Sequence, residues 1–188
     1  MDYTTLSLAE VRGVLQEVAR DAQATFGGLD VQQLNWRPDP TRWSVAQCFE
    51  HLVMSNRMML EAATDALEHP SATLRQRMPV APGFFGRMLI RSQSPTAPRR
   101  FRTSPKAEPA SSTISLDIIP RFVAQHDELG TWMAGLDEGE VSRAIMISPF
   151  LRIITYSVLD SCRLLAAHDR RHFEQARRVT QAPGFPGS

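Results

Sequence analysis

Lysine is almost missing from this sequence: of its 21 basic residues only Lys106 is a lysine and the rest are arginines. They face 20 acidic residues, for a formal net charge of +1, which leaves no large field of one sign to attract nucleic acid or a membrane surface. Cysteine is scarce as well. Cys48 and Cys162 both fall in helix-patterned segments with no metal-ligand spacing to each other, and read as reduced, mostly buried thiols of a cytosolic protein. No apolar run approaches the ~20 residues that a membrane-spanning helix needs. The opening "MDYTTLSLAEVRGVLQ" carries Asp2, Glu10 and Arg12 where a secretory signal would have its apolar core. The expected location is therefore the cytoplasm. Strand signals are weak too. The β-branched stretch "AIMISPFLRIIT" is broken by Pro149 and reads better as the approach to the last helix. There are no internal repeats.

What is present is an ordinary globular composition: 188 residues, 43% apolar and 22% charged, enough for one domain over 1–188 with a sizeable core. Four segments carry helical periodicity. The first opens on the capping-box pair Ser7 and Glu10, continues through Leu8, Val11, Leu15, Val18, Ala22 and Phe26, and stops at Gly27 and Gly28. The second follows the turn-rich "NWRPDPTRW" and opens on a second box, Ser44 and Gln47, with Trp43 placed to staple against Cys48. It should run to Glu68, where "HPS" ends it.

The character then changes over about 70–112, which holds many of the 13 prolines and the arginines Arg87, Arg91, Arg99, Arg100 and Arg102. This reads as a long connection over the surface, with one short helix near 84–91. Its charge could attract an anionic substrate, although a solvated loop is the plainer reading, and with no aromatic platform beyond Phe101 it does not suit nucleic acid. A third helix is expected over 117–136, with Pro120 tolerated in its first turn and Ile119, Phe122, Val123, Leu129, Trp132 and Met133 as its apolar face. A fourth should span about 156–180. The fold class is thus all-α: a four-helix bundle with a long crossover between helices 2 and 3. Exposed faces of bundles often pair, so a homodimer is a further expectation. Trp36 and Trp43, flanking a Pro-rich turn, suit packing over the bundle end better than ligand stacking.

The last helix contains "HDRRH", with His168 and His172 one turn apart on one face, close enough for two imidazoles to grip one ion. A zinc-protease helix would have Glu at the second position and a further ligand downstream. Here that position is Asp169, and no His, Asp, Glu or Cys follows Glu174. Bundle metal sites draw ligands from facing helices, which directs attention to the upstream histidines. His69 sits beside Pro70 at a helix end, where exposure is expected. His51 and His126 each lie on or near an apolar stripe, and by spacing alone they are nearly equal candidates for a third ligand. A core histidine bonded to a neighbour is the plainer account of His126. Asp169 is rotated about 100° from His168, and reads either as a base or as a solvated carboxylate.

The segments "WRPDPTRWSVAQCFEHLVMSN" and "SPFLRIITYSVLDSCRLLAAHDRRHFEQARRV" together resemble the DinB family of metal-binding four-helix bundles. Trp43, Ser44, His51, His168, His172 and Gln175 match that family's pattern, and the helix order agrees over almost the whole chain. The resemblance implies a divalent ion held by His51, His168 and His172, with Zn, Ni, Fe and Co all compatible with three imidazoles. Gln47 and Gln175, one turn from the histidines, would then support the ligands. His126 is a departure from the family pattern, and with Asp169 it is a candidate catalytic group. The family includes mycothiol- and bacillithiol-dependent transferases and isomerases. The implied function is therefore a metal-dependent S-transferase or hydrolase, with a low-molecular-weight thiol or another small molecule as partner. The alternative is a non-catalytic metal-binding or stress-response protein whose ion is structural.

Overall fold

The structure, a computed structural model, describes residues 1–69, 81–95, 104–109 and 113–187. In chain order its elements are α1 (Leu8–Phe26), α2 (Val31–Asn35), α3 (Val45–Glu68), α4 (Ala81–Gln93), α5 (Ile118–Ala134), α6 (Glu138–Arg143), β1 (Ile145–Ile147), β2 (Thr155–Ser157) and α7 (Val158–Thr180). Single 3-10 turns lie at Tyr3–Thr5 and Pro105–Ala107. The four long helices α1, α3, α5 and α7 form the bundle: α1 packs on α5 and α7, and α3 packs on the same two.

Their ends follow from local chemistry. Both predicted capping boxes form, so that Ser7 and Ser44 each accept from the third amide of their helix while the Glu10 or Gln47 side chain reaches back to the cap amide. Asp117 precedes α5, and Pro120 falls in its first turn, where no amide hydrogen bond is lost. At the centre, one phenylalanine from each long helix meets its neighbours edge to face: Phe26 with Phe49 at 5.3 Å, Phe26 with Phe173 at 5.5 Å, and Phe49 with Phe122 at 4.9 Å between centroids. Such pairs add roughly 0.5–1.5 kcal/mol each beyond their buried area. Cys48 and Cys162 are buried free thiols, and desolvation lifts Cys162 to about 12.

Two expectations need correction. The stretch before the last helix is a β-hairpin: β1 and β2 pair antiparallel, with Met146 opposite Tyr156. Pro149 does not interrupt a strand, because it lies in the connection between two, where its missing amide costs nothing. The crossover helix is also more than a surface connection. It is longer than expected, packs against α7 and β2, and buries Ile90. Gly86 makes the approach to α7 possible: a Cβ there would overlap the Asp160 carboxylate. The arginines at 99, 100 and 102 lie outside the described residues.

Candidate metal centre

The site begins with the cap of α3. The Ser44 and Gln47 box starts the helix, and two turns later its inward face carries His51, only 6% exposed. The Gln47 carbonyl oxygen accepts from the Ser44 amide at 3.1 Å, so this side chain supports the site by starting the helix. His51 Nδ1 donates to the carbonyl of Ala107 at 2.6 Å, a bond from the 3-10 turn at the end of the crossover. With the proton on Nδ1, the Nε2 lone pair of the neutral ring points away from Ala107. Nε2 lies 3.1 Å from Nε2 of His168 on α7. His172, one turn further, completes the group: its ring centroid is 4.7 Å from that of His51 and 4.6 Å from that of His168. One ligand nitrogen from each histidine falls within 4.8 Å of the other two.

Electrostatics keep these rings neutral. Desolvation lowers the pKa of His51. Desolvation, and then the mutual repulsion of the rings and the charge of Arg171, push His168 and His172 well below the ordinary histidine value. Arg171 is fixed where it can do this by donating to the carbonyls of Ser92 (3.1 Å) and Ser94 (3.3 Å) at the C-terminal end of α4. Trp43 closes one side, with its indole 5.1 Å from the His51 ring and stacked at 5.7 Å on His172. Trp43 packs against the hydrophobic core and adds ring contact with the histidines. Trp36 does pack near the chain's end, edge-on to Phe185 at 5.5 Å.

The other candidates fall elsewhere. His69 is exposed, beside Asp65. His126 is buried outside the group, with Nδ1 at 2.9 Å from the Phe122 carbonyl and Nε2 at 2.8 Å from Asp169 Oδ2. Asp169 is fully buried, which rules out the solvated reading, and its Oδ2 also accepts from Asn56 Nδ2 at 3.0 Å. His126, Asp169 and Asn56 thus join α5, α7 and α3 through one buried carboxylate oxygen. Gln175 exerts a hydrogen-bonding influence on His172 that favours the charged ring, opposing the desolvation. Nevertheless, Nδ1 of His172 makes no hydrogen bond among the described residues.

The group fits a divalent ion on two grounds: neutral imidazoles offer lone pairs, and the nitrogens converge from two helices. Sequence reasoning missed Asn56, although it continues the stripe of Val45, Cys48 and Leu52 as a polar residue in an apolar row. It also missed Arg171, which the "HDRRH" spacing places beside both histidines. Ala107 acts through its backbone, so no side-chain pattern could have revealed it.

Fold and site together define a helical-bundle protein with a three-histidine centre spanning α3 and α7. A match to the DinB superfamily extends over residues 14–176, and the chain belongs to that superfamily. Comparison with curated proteins finds no match, and comparison with solved structures finds none.

Proposed function

We propose that the protein is a metal-dependent enzyme of the S-transferase or hydrolase type, using a divalent ion held by His51, His168 and His172. The observation that carries the reading is the convergence of three neutral imidazoles, with no cysteine or carboxylate in the group. Three protein ligands leave coordination positions for water or substrate, the arrangement typical of catalytic rather than structural zinc sites. The ion, when bound, would acidify a water or a small thiol and polarise an electrophile. The chain's own part is to hold the three rings neutral, with Ala107 fixing the His51 tautomer and Trp43 bracing two rings. A low-molecular-weight thiol or another small molecule is the proposed partner, with Zn, Ni, Fe and Co all compatible with the donor set.

The test is metal analysis of untagged protein, followed by assays of the metal-loaded form with thiols and common electrophiles. Conjugation or hydrolysis that stops on chelation and returns with metal supports the proposal. Turnover that ignores chelation defeats it.

A second reading, in which the ion only clamps α3 to α7, is favoured by the burial of His51 and His172, at 6% and 8% exposure. A clamp would retain its ion against a chelator under native conditions and would not accept a thiol as an added ligand. Loading with Co²⁺ and titrating a thiol separates the two, since an open position changes the cobalt absorption spectrum on thiol addition and a closed one does not.

A further inference from the structure

Among the described residues four buried side-chain atoms have no hydrogen-bond partner: Asn56 Oδ1, Gln125 Oε1, Asp169 Oδ1 and His172 Nδ1. Three are acceptors. The fourth, a ring nitrogen, is the one that can donate. An unmatched buried donor or acceptor keeps the cost of losing its water, so a donor and an acceptor left unmatched side by side point to a missing contact. Asp169 and His172 supply it, because they stand three residues apart on α7, a spacing that makes side chains neighbours on a helix surface. Asp169 is also held in place: its Oδ2 is gripped by His126 at 2.8 Å and Asn56 at 3.0 Å, which leaves Oδ1 as its free acceptor.

We propose that Asp169 is the positioning carboxylate of the three-histidine centre. Its Oδ1 accepts a hydrogen bond from Nδ1–H of His172, after a side-chain rotation or through one enclosed water, so that His172 turns its Nε2 toward an ion shared with His51 and His168. The logic repeats what is seen at His51, where the Ala107 carbonyl accepts a hydrogen bond from Nδ1–H and leaves Nε2 for an ion. A metal-binding histidine generally needs such an acceptor on its other nitrogen, and removing one typically weakens metal binding 10–100-fold. His126 and Asn56 then act one step further out, by fixing Asp169. Its consequence for metal affinity rests on the metal reading of this site, whereas the His172 tautomer does not.

The experiment uses that difference. In metal-free, ¹⁵N-labelled full-length protein at pH 7.5, long-range ¹H–¹⁵N correlation spectra report which nitrogen of His172 carries the proton. The wild type should show the Nδ1–H form. D169N should shift His172 toward the Nε2–H form and weaken Zn²⁺ binding 10–100-fold by chelator competition, while D169E should recover part of both. Q175L, which removes the side chain that hydrogen-bonds toward the ring, should leave the tautomer unchanged. Should D169N fail to fold, the wild-type tautomer still decides the matter. Nε2–H in the wild type overturns the proposal, as does a tautomer that follows Q175L and ignores D169N. If the wild type binds no Zn²⁺, the metal reading falls, and the Asp169 link is still judged by the tautomer.

Discussion

Trp43 touches two of the three histidine rings, so at the scale of single residues it should report on the centre directly. Adding a divalent ion to wild type is expected to change tryptophan emission, and W43F should remove most of that change while Trp36 and Trp132 remain. The histidines make the sharper prediction. H51A and H172A should each abolish most of the metal-dependent rise in melting temperature, and H69A should leave it intact, because His69 lies exposed beside Asp65. H126A should affect metal binding less than H51A. It should instead lower the stability of the metal-free protein, because the buried Asp169 carboxylate loses one of its two donors. Differential scanning fluorimetry with and without Zn²⁺ measures all four; equal metal dependence in wild type and H51A would refute the ligand assignment.

Among elements, α4 makes the least expected contact and gives the most pointed test. Its approach to α7 requires Gly86, where an added Cβ would overlap the Asp160 carboxylate, itself held by Ser157 and Arg163. G86A would ordinarily favour a helix, yet here it should destabilise by roughly 1–3 kcal/mol, the usual cost of overpacking. Urea denaturation measures it, and a neutral or stabilising result would show that α4 does not dock this closely. At the start of α3 the cap is the vulnerable point. S44A removes the hydroxyl that accepts from the Gln47 amide, and should cost about 1 kcal/mol. Because His51 lies two turns beyond the cap, metal affinity should fall with it. Arg171 ties the C-terminal end of α4 to the helix that carries His168 and His172.

For the whole molecule the pH dependence has a definite sign. His51, His168 and His172 have folded pKa values below the ordinary one, chiefly through desolvation. Below about pH 6.5, the reference value for histidine, the unfolded chain therefore binds more protons than the folded one. Stability then falls as pH drops from about 6.5 toward the folded pKa values, by up to about 1.4 kcal/mol per pH unit for each such histidine. Above about pH 7 these groups contribute no slope. Bound metal is expected to steepen the dependence, because an ion bound only by the folded protein at ~100 times its Kd adds about 2.7 kcal/mol, and protons compete for the same nitrogens. The metal-dependent gain in Tm should be large near pH 7.5 and nearly absent at about pH 5. Thermal melts across that range check it, and a gain that survives unchanged at about pH 5 would argue against imidazole ligands.

The sequence by itself determined the four long helices and most of their ends, because caps, glycine stops and 3.6-residue periodicity are local and act within a few residues. It also singled out His168 and His172 as a pair, since helix geometry alone puts them on one face. It did not separate His51 from His126 by spacing; the family resemblance pointed to His51. In the folded chain the choice is visible as geometry: His126 spends both nitrogens on Phe122 and Asp169, whereas His51 spends one on Ala107 and turns the other to His168. The hairpin was missed because Pro149 was weighed as a breaker of one strand, and only chain reversal shows it between two. Asp169 was open between base and solvated group because burial depends on what α3 and α5 bring against α7. Those contacts join residues more than forty positions apart, and no local pattern encodes them.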